Sequence, residues 1–232
     1  MQNNLIQSLK QRILGINKTQ LFLLLVLFLF AFGIRGHLMK YELFFGFDSY
    51  YHARMNAEVI QNGFVPETDT AAWYSPDREG APLSPVGQFF WFFNAAIYKI
   101  FTLGSGYDKD LWIFFVKFLP AFYGALISVA MFFLGKEVFG KKNGNIAGYT
   151  MAFFAAVVPS FVYRTMAGFL EEDALGFLWM VIGLTFLAKA LREPELTREK
   201  IIYALLSGLF FAVMAYTWEM FLLIPLILVL YA

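Results

Sequence analysis

Residues 19–34 read TQLFLLLVLFLFAFGI. A helix needs about 20 mostly apolar residues to cross a bilayer, and this uncharged run comes close. It is too long, and too poorly followed by small residues, for a cleavable signal. It reads as a first transmembrane helix over 19–35. The composition agrees. Of 232 residues, 59% are hydrophobic, 20% aromatic and 15% charged, against roughly 45–50% apolar and about 25% charged in soluble domains. Lys and Arg total 18, Asp and Glu 17, so the net charge of +1 names no partner. Disorder and a basic nucleic-acid-binding domain fit poorly, and no nucleic acid partner is expected. The absence of Cys removes a disulfide framework, a thiol nucleophile and a zinc–thiolate site, and leaves the redox compartment open.

Before this run, Leu5, Leu9, Ile13 and Ile16 fall near helical spacing among Lys10, Arg12 and Lys18. Residues 1–18 read either as a cytoplasmic amphipathic lead-in on the membrane surface or, equally, as a frayed terminus. After it come further apolar runs: Pro85–Leu103, Leu111–Gly135, Ile146–Tyr163, Ala174–Leu191, Ile201–Trp218 and Phe221–Ala232. The last covers about half of a span, which gives the expectation of a chain cut within a helix. The fold class is all-α integral membrane, a multi-span helical bundle.

Lys and Arg in short loops favour the cytoplasm. They gather at the N-terminus, over Lys136–Lys142 and over Arg192–Lys200. If every run crossed, the later two clusters would lie opposite the first. One run before Lys136 must therefore stay out of the membrane. Pro85–Leu103 is the best candidate, because it holds Gln88, Asn94 and Lys99 and is richly aromatic. The expected organisation is then a first external loop over 36–110 with juxtamembrane helices, spans 2 to 6 over 111–232 with the last one truncated, and a second external loop over 164–173.

The first loop contains Asp48–Asn62, DSYYHARMNAEVIQN. Its apolar spacing predicts a helix with Asp48 or Ser49 as N-cap and Gly63 just past its end. Pro66–Pro85, with Pro76, Gly80 and Pro82, reads as irregular. The second loop runs Arg164-Thr-Met-Ala-Gly-Phe-Leu-Glu171-Glu172-Asp173. Three acids at the mouth of an apolar helix are costly unless solvated, paired or bound to a cation. Oxygen-only ligands suit hard ions such as Mg²⁺ or Mn²⁺. Glu171 and Asp173 flank one residue and can reach one ion, and Asp48 is expected on the same side. Any one of these acids, taken alone, more often reads as a cap or a helix-dipole partner than as a ligand, and Arg164 also reads as a plain ion-pair partner. His52, one turn after Asp48, reads as a satisfied interfacial His rather than a zinc ligand, since His37 is the sole other His.

Together the two acidic stretches resemble the motifs of oligosaccharyltransferase catalytic subunits of the archaeal AglB and bacterial PglB type, within the membrane glycosyltransferase class called GT-C. Asp48-Ser-Tyr-Tyr-His52-Ala-Arg54 looks like the first acidic motif. Arg164 to Asp173 looks like the second. The resemblance covers most of the chain. It implies a divalent cation, Mn²⁺ or Mg²⁺, held on the external face by Asp48, Glu171 and Asp173, with Arg164 close by. The family usually has Asp where Glu171 stands, so Glu172 is a possible sharer of that work. It implies transfer of an oligosaccharide from a lipid-linked phosphate or diphosphate donor to Asn in an Asn-X-Ser/Thr sequon. It also implies a cell-membrane enzyme facing the extracytoplasmic side, completed by a soluble C-terminal domain bearing a WWDYG motif. That motif is not in this sequence, so the chain is expected to be an N-terminal part, inactive alone. Two other readings stand beside this one. One is another GT-C transferase acting on protein Ser/Thr, lipid A or cell-wall glycans. The other is a transporter or assembly subunit, which would place its acids within the spans.

Overall fold

The computed structural model describes residues 17–69, 71, 80–83 and 87–231. The lead-in read over residues 1–18 lies, except for its last two residues, outside them. Helix α1 (Lys18–Gly36) opens on a capping box: the Asn17 side chain accepts from the Gln20 N–H, and the Gln20 side chain accepts from the Asn17 N–H. Helices α2 (Phe47–Asn62) and α3 (Gln88–Phe101) follow, with a short antiparallel pair between them, β1 (Thr68–Asp69) and β2 (Ala81–Pro82). That pair corrects the irregular reading of 66–85: Thr68 faces Pro82 and Asp69 faces Ala81. Among its described residues, Pro85–Leu103 holds the 14-residue α3, well below a span's length.

The run α4 (Lys109–Val157) turns back on itself at Gly140, whose φ of 68° and ψ of −169° leave the helical region. Its first arm is Lys109–Gly140. Glycines hold the two arms close: a Cβ on Gly135 would stand 2.8 Å from the Gly148 Cα, and one on Gly144 would stand 2.6 Å from the Lys136 carbonyl oxygen. Without hydrophobic drive between helices in lipid, such small-residue seams supply the packing. Ile146–Tyr163 is not one continuous helix. Val158, forced out of helical geometry by the following Pro159, separates α4 from α5 (Pro159–Arg164). Helix α6 (Glu172–Arg192) packs along α7 (Arg198–Thr217), where Gly176 admits Trp218 and Gly183 admits Phe211. A 3₁₀ turn, Glu219–Leu222, leads to α8 (Leu223–Tyr231).

Among the described residues, four helices are long and apolar enough to cross a membrane: Lys18–Lys40, Lys109–Gly140, Glu172–Arg192 and Arg198–Thr217. The first arm of α4 is the most enclosed and forms the centre; α1 and α7 are mostly exposed. One end of the bundle gathers the basic segments. Gln20 donates to Asn145 (3.1 Å), and Glu137 pairs with Arg192 (2.9 Å) and Lys189 (3.9 Å). At the other end α2 and α3 lie over the helix mouths. They share a core of Met55, Val59, Phe90, Trp91 and Tyr98 with Trp112 and Val116 of α4 and with Leu175 of α6. Fully burying each large apolar side chain is worth about 1.5–3 kcal/mol, enough to seat these helices on the bundle.

Candidate active site

The acids collect at that second end. Helix α2 starts two or three residues earlier than the predicted caps imply, and neither Asp48 nor Ser49 caps it. The N-cap is Gly46, at φ 94° and ψ 144°, a conformation that costs glycine little. The Ser49 hydroxyl instead donates to the Phe45 carbonyl (2.8 Å). Asp48 therefore sits in the first helical turn, exposed, where the helix dipole favours a negative charge. Gly63 closes the helix in the left-handed conformation, its N–H donating to the Val59 carbonyl (3.0 Å).

The loop 165–171 is stitched to this helix start. Phe45 N–H donates to the Gly168 carbonyl (2.9 Å), and a Cβ on Gly46 would lie 3.2 Å from Glu171 Oε1. Glu171 is the N-cap of α6 in backbone geometry, and its side chain makes no capping bond. Glu172 and Asp173 occupy the first turn. Three consecutive acids thus divide. Glu171 pairs with Arg164 Nη2 (3.0 Å), and Asp173 pairs with the same nitrogen. Glu172 turns the other way and accepts from His52 Nε2 (2.8 Å). Arg164 also lies over the Phe169 ring (5.0 Å). Burial pushes the Glu171 carboxyl up to about 7. Arg164 opposes the rise, while Asp173, Asp48 and Glu172 add to it.

Below the loop lies a cation that sequence reasoning passed over. Arg35, fully buried at the end of α1, donates to Thr165 Oγ1 (2.7 Å) and to the carbonyls of Ala31 (3.1 Å), Ala156 (3.0 Å) and Ala155 (2.8 Å). Its own carbonyl accepts from Ala167 N–H (2.9 Å). The end of α4 and the 164–168 turn are therefore tied to one residue, through its side chain and its carbonyl. Buried Lys117 does similar work, donating to the carbonyls of Met39 (3.3 Å) and Tyr41, while its own carbonyl accepts from Gly168 N–H (3.0 Å). A charged residue inside an apolar run was the available signal for both.

Asp48, Glu171, Asp173 and Arg164 thus share one helix mouth, although the two motifs lie far apart in sequence. The donors are oxygens, which suit a hard cation. Among the described residues, however, no three carboxylate or imidazole groups converge as a formed cage. Both Glu171 and Asp173 reach one cationic centre, the Arg164 guanidinium.

A bundle of helices long and apolar enough to span a bilayer, with acids at one mouth, is the architecture of a multi-pass membrane protein. The chain belongs to the oligosaccharyl transferase STT3 family, whose N-terminal model matches residues 36–232. It is 27% identical over 194 residues to dolichyl-phosphooligosaccharide-protein glycotransferase 3 of Archaeoglobus fulgidus, covering 79% of this chain and 21% of that protein. Its fold is similar to the crystal structure of the A. fulgidus oligosaccharyltransferase in complex with Zn and sulfate (TM-score 0.70, 23% identity), covering 89% of this chain and 26% of that one. It is equally similar to archaeal AglB from A. fulgidus in complex with an inhibitory peptide and a dolichol-phosphate (TM-score 0.70, 23% identity), covering 90% and 25%. The chain spans about a quarter or less of the length of these relatives.

Proposed function

We propose that this chain is the N-terminal membrane part of an enzyme that transfers an oligosaccharide from a lipid-linked donor to the Asn side chain of an Asn-X-Ser/Thr sequon. The donor is a dolichyl or polyprenyl phosphate or diphosphate. One observation carries the reading: two acidic motifs, remote in sequence, meet at the mouth of a membrane bundle. A site at the bilayer surface suits a substrate whose anchor stays in lipid while its head group reaches protein. The dolichol-phosphate and peptide bound by the A. fulgidus protein support this donor and acceptor.

Asp48, Glu171 and Asp173 are the proposed holders of Mn²⁺ or Mg²⁺. When bound, such an ion would stabilise charge building on the leaving phosphate oxygens. The Zn and sulfate held by the A. fulgidus enzyme support a divalent ion in the family. The acceptor amide nitrogen is a poor nucleophile because its lone pair is delocalised into the carbonyl. The exposed Asp48 carboxylate can accept hydrogen bonds from that amide and reduce the delocalisation. Arg164 holds Glu171 and Asp173 on one side of the mouth. The acidic end faces the extracytoplasmic side of the cell membrane, because the short loops at the other end carry the Lys and Arg. The remaining activity belongs to a soluble C-terminal domain of the same protein.

In the full-length protein, Asp48→Ala lowers sequon glycosylation at least about 100-fold while membrane insertion is unchanged. Full transfer by this variant refutes the assignment. Chelation abolishes transfer, and Mn²⁺ restores it.

A further inference from the structure

His52 is 8% exposed and joins three elements. It lies one turn after Asp48 on α2. Its Nδ1 accepts from the Trp91 indole N–H of α3 (2.9 Å), and its Nε2 faces Glu172 Oε2 of α6 (2.8 Å). The indole nitrogen is a donor only. Trp91 therefore fixes the tautomer: Nδ1 stays bare and Nε2 carries the hydrogen that Glu172 accepts. Phe90 and Tyr51 stand edge-on to the imidazole, at 5.2 and 5.3 Å, and hold its plane.

The partner is the middle acid of three. Drawing Glu172 towards α2 leaves Glu171 and Asp173 turned to Arg164. The same bond spans the gap between the element that carries Asp48 and the element that carries the other two. We propose that His52 is a positioning residue: locked by Trp91 in its Nε2–H tautomer, it docks Glu172 and so sets the separation between Asp48 and the Glu171–Asp173 pair. Glu172 is then a structural partner and not a cation ligand. This inference rests on the reading of Asp48, Glu171 and Asp173 as the acting groups. Outer partners that orient a site typically change affinity or activity by about 10–100-fold when lost.

Two substitutions separate positioning from packing. In His52→Gln the side-chain amide reaches the place of Nε2 and can still donate to Glu172. In His52→Asn the amide stops at the place of Nδ1, keeping an acceptor for Trp91 but losing Glu172. Pulsed electron resonance between spin labels at the exposed Gln61 and Tyr163, with the protein in lipid nanodiscs and without metal, reads the geometry directly. His52→Asn broadens the distance distribution and His52→Gln restores it. Mn²⁺ affinity, by electron resonance, and transfer kcat both fall about 10–100-fold in His52→Asn and recover in His52→Gln. Equal losses in both variants reduce His52 to aromatic packing and overturn the proposal, as does an unchanged distribution in His52→Asn. Asp48→Asn reports on the cation reading separately. If it leaves Mn²⁺ binding intact, that reading fails, while the metal-free distances still decide the role of His52.

Discussion

At the scale of single residues, the missing side chain of Gly124 matters as much as the charges around it. A Cβ there would stand 2.4 Å from Arg35 Nε and 2.7 Å from Thr165 Oγ1. Gly124→Ala is expected to destabilise the protein by about 1–3 kcal/mol through overpacking, and to loosen the loop that carries Arg164. Thermal unfolding in detergent measures the first effect. Release of Arg35 would raise hydrogen exchange at the Ala167 amide, which its carbonyl holds. The acids were legible in the sequence because carboxylates beside apolar runs are expensive and so stand out. Their division was not. The Glu172–His52 contact joins residues far apart in the chain, and no spacing rule reports which of three adjacent acids turns away. The Gly46 cap was missed for a related reason: the preference of Asp and Ser for that position was outweighed by a glycine free to adopt positive φ.

At the scale of elements, two pairings support predictions. The β1 segment is tied to α2 by Arg54 and Asp69 (2.6 Å), with the Ala71 N–H also donating to Asp69 (2.9 Å). Burial alone would raise the Asp69 carboxyl, but these bonds outweigh it and hold it below its usual range. A lowered folded-state value means the pair contributes stability above the unfolded value, about 4, and that the contribution is lost as pH falls through the folded one. Asp69→Asn is expected to lower the unfolding midpoint at about pH 7 and to flatten its decline toward about pH 3. A steep acid decline in the variant, equal to that of the parent, would exclude the pair as its source. In the α4 hairpin, a Cβ on Gly148 would stand 2.6 Å from the Phe132 carbonyl oxygen. Gly148→Leu is therefore expected to splay the arms, and cysteines placed across the seam would then stop cross-linking. Runs of apolar residues announced these helices. The breaks at Gly140 and Val158 were less visible, since glycine occurs in both seams and turns.

At the scale of the whole molecule, the division of charge between the two ends was readable from Lys and Arg counts, because short loops obey a simple bias. Contacts of Gln20 with Asn145 and of Arg192 with Glu137 then place the basic segments together. Sidedness follows as a prediction: single cysteines at Asn145 and Glu195 label from the cytoplasm, and one at Leu43 labels from the opposite side. Labelling of all three from one side would refute it. What composition could not convey is the seating of α2 and α3 across the helix mouths, which depends on aromatic packing between remote segments. The buried Arg35 adds a matter of timing. Its acceptor Thr165 lies 130 positions further along the chain, which a ribosome adding about 5–20 residues per second takes on the order of ten seconds to make. Until those residues are made the guanidinium has no Thr165, Ala155 or Ala156 to bind, and a long side chain near a helix end reaches for the water interface. Helix α1 is thus fully docked only after the segment around Thr165, which leads into the second motif, has been synthesised.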